Sequence, residues 1–331
     1  MTAYTKRLQK VTAVLCTTAL LAGCAAGTSD NTEPAATTAQ VKTITIEPTA
    51  AYQTMNGFGA SACWWSQEVG NWENAKDILS LLYDENSGIG LNIYRYNLGA
   101  GSKDDATITD LDRRAEAFID KDGSYHWERD AAAQNALALA KSMNKDLRVT
   151  LFSNSAPVFY TVNGKAYCDY LPDDENYVTN LEPERYADFA KYSIACAKHF
   201  TEAGYRVTGL SPINEPEWSW RGYEDGTAKQ EGCYYSKTQC RDLYKVFLKQ
   251  MAQEDALKDC RLEGWESGHI GTDTCMAYLQ TMFGKSGVNG LKNNALRKGM
   301  PTLALHSYWA SPEEKQAFAT VSYTHLTLPT T

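Results

Sequence analysis

The sequence predicts an α/β fold, a (β/α)₈ TIM-type barrel that is incomplete, with about six of its eight units. Three observations lead there. Short apolar strands and amphipathic helical patterns alternate six times along the chain, the order that builds a parallel sheet. Polar or aromatic residues gather at the carboxyl end of every strand: Trp65, Arg95 and Asn97, Asn154, Asn214 and Glu215, Glu266, His306 and Tyr308. The first strand is followed by Ala62-Cys63-Trp64-Trp65 and not by a glycine-rich phosphate turn, which argues against a doubly wound sheet.

The elements follow in order. Residues 1–23 read as a lipoprotein signal peptide: Lys6, Arg7 and Lys10 precede an apolar run over 11–21 that is too short to span a bilayer, and Leu21-Ala22-Gly23-Cys24 follows. Cleavage before Cys24 and lipid on its sulfur are expected. Residues 24–40 are Ala, Thr, Ser, Gly and acid, a flexible tether. After a lone alternating strand at 41–47, strands are expected over 57–61, 91–97, 147–153, 207–214, 261–266 and 302–306. Ala75, Ile78, Leu79 and Leu82 keep a helical period, as do Tyr186, Phe189, Ala190, Ile194 and Ala197 before Gly204. Ser236 with Gln239 forms a capping box ahead of Leu243, Phe247 and Met251, and a further helix begins near Pro312. The barrel region thus runs over 41–320. Residues 321–331 are Thr-, Leu- and Pro-rich without helical period and read as a foreign or disordered tail.

Composition excludes some functions. The 331 residues are 43% hydrophobic, enough for a large core, and carry a formal net charge of -8. No Lys/Arg cluster interleaves with aromatics, so nucleic acid is not an expected partner. Of nine cysteines, Cys16 leaves with the signal and Cys24 takes the lipid. The remaining seven are odd in number and show no metal spacing, so buried free thiols are expected, with one bridge possible and no metal site.

Glu215 is the leading catalytic candidate. It lies in Leu210-Ser211-Pro212-Ile213-Asn214-Glu215-Pro216, where an apolar strand ends on an amide, a carboxylate and a proline. Pro216 cannot donate to a ladder and biases Glu215 toward an extended backbone, which places the carboxylate at a rim. A carboxyl group there, beside an amide and aromatics, suits proton delivery to a glycosidic oxygen. Glycoside cleavage needs a second carboxyl, about 5 to 5.5 Å away for retention and farther for inversion.

Several motifs together resemble glycoside hydrolase family 30, most of all its endo-β-1,6-galactanase branch. They are Gly57-Phe58-Gly59-Ala60-Ser61, Tyr94-Arg95-Tyr96-Asn97-Leu98-Gly99-Ala100-Gly101, Phe152-Ser153-Asn154-Ser155, Ser211-Pro212-Ile213-Asn214-Glu215-Pro216, Gln230-Glu231-Gly232-Cys233 and Leu305-His306-Ser307-Tyr308-Trp309. The resemblance covers about residues 41–319. It implies a retaining hydrolase in a (β/α)₈ barrel with an accessory β-sandwich, one strand of which residues 41–47 would supply. It also implies roles: Glu215 as acid/base, Asn214 as the amide on the sugar 2-hydroxyl, and Arg95 as support for the nucleophile. His306 and Tyr308 would line the cleavage subsite, with Trp65, Asn154, Glu231 and Glu266 in binding or supporting positions. Trp64 is expected to pack, and Asp173, Asp174 and Glu175 to face solvent.

The family's nucleophile is a Glu at the end of strand seven, whereas the pattern here supplies six strands. The chain is therefore expected to lack the nucleophile and to be inactive, while a longer product would cleave β-1,6-galactan. Other expectations are a related specificity for β-1,6-glucan, glucuronoxylan or a glycosyl lipid, or a non-catalytic surface glycan-binding lipoprotein. A monomer with a polysaccharide substrate is expected, carboxylate chemistry needs no cofactor, and the lipoprotein signal implies a lipid anchor to the membrane outside the cytoplasm.

Overall fold

A computed structural model describes residues 55–172, 176–284 and 294–326, with positions 45, 47 and 49. The signal, the tether, Cys24, nearly all of the expected sandwich strand, and Asp173, Asp174 and Glu175 lie outside the described residues.

Six strands form one sheet: β1 Gly59–Ser61, β2 Ile93–Asn97, β3 Arg148–Phe152, β4 Arg206–Ser211, β5 Arg261–Ser267 and β6 Thr302–Leu305. Each pairs in parallel with the next, so spatial order equals chain order. A parallel pair needs a crossover, and the helices supply it. They are α1 Ser66–Val69, α2 Ala75–Tyr83, α3 Ala131–Met143, α4 Tyr186–Glu202, α5 Lys237–Met251, α6 Asp273–Phe283, α7 Asn294–Gly299 and α8 Pro312–Leu326. Sequential parallel order with a helix after each strand is the topology of a (β/α) barrel, here a partial one.

The sequence patterns explain the elements. The expected capping box starts α5: Ser236 accepts from the Gln239 amide, and Gln239 accepts from the Ser236 amide. Gly204, with φ of 88°, takes the left-handed turn after α4 that other residues resist. Helix α8 runs on through 321–326, into the stretch expected as a foreign or disordered tail, whose residues 327–331 lie outside the described residues. The pattern of those residues lacks an apolar face, so periodicity gave no signal there.

One core lies between sheet and helices. Tyr94, Tyr96, Val149, Leu151, Leu210, Leu262 and Trp265 turn outward and are buried, against Leu79, Leu137, Phe189, Phe247 and Phe283. Aromatic pairs fix the helices: Tyr83 on Tyr94 at 5.6 Å, Phe189 on Phe247 at 5.6 Å, and Trp265 on Phe283 at 6.2 Å. Among the described residues the seven cysteines are free thiols, six of them buried.

The concave face is different. Arg95, Thr150, Phe152, Glu263 and Glu266 line it. Registers pair Ser61 with Arg95, Asn97 with Phe152, and Phe152 with Ser211, which brings the strand ends to one rim. The loops above the rim are braced by a small separate cluster of Ala100, Ile108, Ala166, Tyr167 and Ala228.

Candidate active site

The rim encloses a cleft of about 1230 Å³ lined by residues of all six strand ends, among them Arg95, Asn154, Asn214, Glu215, Glu266, His306 and Tyr308. Two devices aim the carboxylates into it. The β5–β6 register shifts between Trp265 and Ser267. At that bulge Trp265 turns outward to stack on Tyr278 at 6.2 Å, while Glu266 turns into the cleft. Glu215 and Glu266 both adopt φ of 47°, and the Glu215 amide donates to the Glu266 carbonyl at 2.9 Å. Left-handed backbone at a non-glycine residue costs on the order of 1–3 kcal/mol, and here it falls on both cleft carboxylates.

This corrects the extended backbone expected for Glu215. Proline removes one conformation, but the Glu215 carbonyl accepts from the Trp220 indole at 2.7 Å and from the Trp218 amide at 3.2 Å. Those contacts turn the chain sharply once it has left β4, which itself ends at Ser211.

His306 stands between the two carboxylates. Its Nδ1 lies 2.6 Å from Glu215 Oε1 and its Nε2 3.1 Å from Glu266 Oε2. An imidazole facing an acceptor on each nitrogen holds two protons. Burial opposes that charge, but Glu215 and Glu266 outweigh it and push His306 up to about 9. Arg95 completes the array, with Nη2 at 2.5 Å from Glu266 Oε2 and 3.1 Å from Asn214 Oδ1, and Nη1 at 2.9 Å from Ser61 Oγ. Its guanidinium rests 3.1 Å from the Phe152 ring centroid. Burial would raise the Glu266 carboxyl, yet Arg95 and His306 hold it below the usual carboxylate range. Two cations thus face two carboxylates. Asn214, 7% exposed, gives its oxygen to Arg95, which leaves its N–H groups for a substrate hydroxyl.

Asn154 is buried and donates to Asn97 at 3.1 Å beside the cleft. Tyr308 is exposed and meets the His306 ring edge-on at 5.4 Å. Glu266 lines the cleft but is 2% exposed and engaged with Arg95 and His306, so it braces the site more than it reaches out.

Two binding assignments change. Trp64, expected to pack, lines the cleft, while Trp65 donates to the Ser61 carbonyl at 2.8 Å and packs on Tyr94 at 6.4 Å. The turn after β1 places these neighbours on opposite sides. Glu231 is fully buried away from the cleft. It accepts from the Ala100 amide at 3.1 Å and the Ser102 hydroxyl at 2.7 Å, which joins two rim loops. Burial pushes it up to about 8 despite those donors.

Two acids escaped the sequence reading. Glu263 faces the concavity from β5, where burial raises it to about 7. A charge between Leu262 and Gly264, three residues before Glu266 in β5, was the available signal. Gly209 makes room for it, since a Cβ there would collide with Glu263 and Thr150. Glu217 accepts from Ser267 Oγ at 2.5 Å and the Gly268 amide at 2.7 Å and ties the β4 and β5 ends together. No pattern announces that role.

An Arg–carboxylate–imidazolium array beside a second carboxyl at barrel strand ends can move protons, and several known proteins resemble the chain that carries it. An endo-β-1,6-galactanase of Hypocrea rufa is 30% identical over 219 residues, 58% of this chain and 43% of that protein. An exo-β-1,6-galactobiohydrolase of Bifidobacterium longum is 27% identical over 241 residues, 54% of this chain and 15% of that protein. The chain thus spans less than half the length of these curated relatives. Among solved structures, a conserved exported protein of Bacteroides fragilis superposes with a TM-score of 0.65 at 25% identity, over 80% of this chain and 55% of that one. Residues 41–316 match the description O-Glycosyl hydrolase family 30. With most of its length accounted for in this way, and a partial barrel carrying the site at its strand ends, the chain belongs to O-glycosyl hydrolase family 30.

Proposed function

We propose that the protein this chain belongs to is a retaining hydrolase of β-1,6-linked galactan, with Glu215 as its acid/base. One observation carries the reading: Glu215 lines the cleft from the turn that follows β4, 2.6 Å from an imidazolium that Glu266 also holds. The names of the two curated relatives, both β-1,6-galactan enzymes, support the substrate class.

The chemistry follows from the geometry. In its protonated form Glu215 delivers a proton to the glycosidic oxygen as that oxygen's bond to the anomeric carbon breaks, and the ionised carboxylate that faces His306 is the form this leaves. In the second half it takes a proton from the water that releases the sugar from the enzyme. His306 orients the Glu215 carboxyl through the 2.6 Å bond, and Asn214 meets the 2-hydroxyl. The attacking carboxylate is the strand-seven Glu that the family resemblance implies, which the six strands described do not supply. The six described strands alone should then be inactive, and a protein that carries strands seven and eight as well should be active.

Expressing both forms tests this against β-1,6-galactan, β-1,6-glucan, glucuronoxylan and a glycosyl lipid. Only the continued protein should release products, and from galactan. Turnover by the 331-residue form would defeat the assignment of roles. We also propose a monomeric, lipid-anchored protein outside the cytoplasm. Labelling with a fatty acid should depend on Cys24 and disappear in Cys24→Ser.

A further inference from the structure

The aromatic residues beyond Glu215 are unusually placed. Large rings elsewhere are mostly buried, yet Trp218 is 42%, Tyr223 54%, Tyr308 55% and Trp309 79% exposed. With Trp220 they line a second cleft of about 450 Å³ that opens from Glu215 itself. Glu215, Trp220, Gln230 and Tyr308 border both clefts, so the two form one continuous groove with the acid/base candidate at the junction.

The rings are held, not loose. Trp218 and Trp220 both anchor on the Glu215 carbonyl, through an amide at 3.2 Å and an indole at 2.7 Å. The Trp220 ring lies flat on Gly232, where any Cβ would collide with it, and its carbonyl accepts from the Cys168 amide at 2.9 Å. Trp220 and Trp309 hold left-handed backbones, φ 46° and 58°. Such strain persists only where the surroundings enforce it. An exposed apolar patch rimmed by polar groups and joined to a catalytic cleft marks a binding surface.

We propose that this second cleft binds the leaving-group portion of the glycan, with Trp218 and Trp309 stacking on the CH faces of β-linked pyranose residues. The inference rests on Glu215 being the acid/base. A proton donor sits beside the glycosidic oxygen, so the sugar that is attacked lies on one side of it and the departing chain on the other. Arg95, Asn214 and His306 occupy the first side with polar groups for hydroxyls. The second side offers flat rings, which recognise pyranose CH patches over several residues.

Binding by the 331-residue chain tests this without any need for turnover. Calorimetry would compare wild type with Trp218→Ala, Trp309→Ala and, as a control, Trp72→Ala, whose ring is 51% exposed at a distance from the groove. The probes are β-1,6-galactotetraose and methyl β-galactoside, with β-1,6-gluco-oligosaccharide as a parallel. Each groove variant should weaken tetraose binding on the order of tenfold, the worth of one ring contact of about 1.4 kcal/mol. Trp72→Ala should change nothing, and methyl galactoside should bind all forms alike. Groove variants that bind tetraose as tightly as Trp72→Ala overturn the inference and leave the galactan reading intact. Binding of the gluco-oligosaccharide alone, with the same tryptophan dependence, supports the groove and overturns the galactan reading. A wild type that binds none of these glycans overturns both.

Discussion

Replacing Glu266 with Gln tests the charge array at its centre. His306 stands at about 9 against an ordinary 6.5, roughly 3 kcal/mol of added preference for the imidazolium. Burial works against that preference, and the bonds to Glu215 and Glu266 create it. A folded value above the unfolded one means that this stabilisation is complete below about pH 6.5 and lost as pH rises through about 9. Glu266→Gln removes one of the two carboxylates, so His306 should fall by about one to two pH units. Breaking a buried ion pair costs about 3–5 kcal/mol. The loss here should reach only about 2–3 kcal/mol at pH 6, because Gln keeps an acceptor and Arg95 keeps Asn214 and Ser61. Proton NMR of the imidazole, assigned with His306→Gln, reads the first quantity, and urea unfolding at pH 6 and 9.5 reads the second. The gap between variant and wild type should narrow at pH 9.5. An unchanged His306 midpoint in Glu266→Gln would refute the array.

Other outcomes follow from the same geometry. Burial raises Asp130 and Glu263 to about 7 and Glu231 to about 8, so the folded state keeps protons that the unfolded chain releases near pH 4. Urea unfolding should show stability falling between pH 4 and 8, and Glu231→Gln should match wild type near pH 4, exceed it by about 2 kcal/mol at pH 6 and by more at pH 9. Trp64→Ala should weaken oligosaccharide binding with little effect on stability. Trp65→Ala should do the reverse, at a cost of about 2–3 kcal/mol from lost packing on Tyr94. Gly209→Ala should destabilise by about 1–3 kcal/mol as its methyl meets Glu263 and Thr150, and Gly209→Ala with Glu263→Gln should not restore it, since Gln keeps the same volume.

The strands and helices were legible because their patterns are local. Period-two and period-3.6 runs, a capping box and a terminal glycine each fix an element from a few neighbours. Glu215, Arg95, Asn214 and His306 were legible as strand-end residues, and the structure brings them within hydrogen-bond reach of one another or of Glu266. What escaped depends on direction. A turn decides which of two adjacent tryptophans faces the cleft, and a bulge decides that Trp265 and Glu266 part company. Glu231 reads as a site residue by motif, but its neighbours Ala100 and Ser102 enclose it. The left-handed turn at Glu215 comes from Trp218 and Trp220, which no rule about proline anticipates.

The central claim is that Glu215 moves the proton. Its most direct test is Glu215→Ala in the protein continued through strands seven and eight, assayed on galactan and on a dinitrophenyl β-galactoside, with and without azide. The account predicts a loss of about 10²–10⁴-fold on galactan, whose leaving group needs an acid. It also predicts that azide, which needs no base to attack, restores turnover of the activated substrate and yields a β-galactosyl azide. Wild-type cleavage of galactan by Glu215→Ala would contradict it.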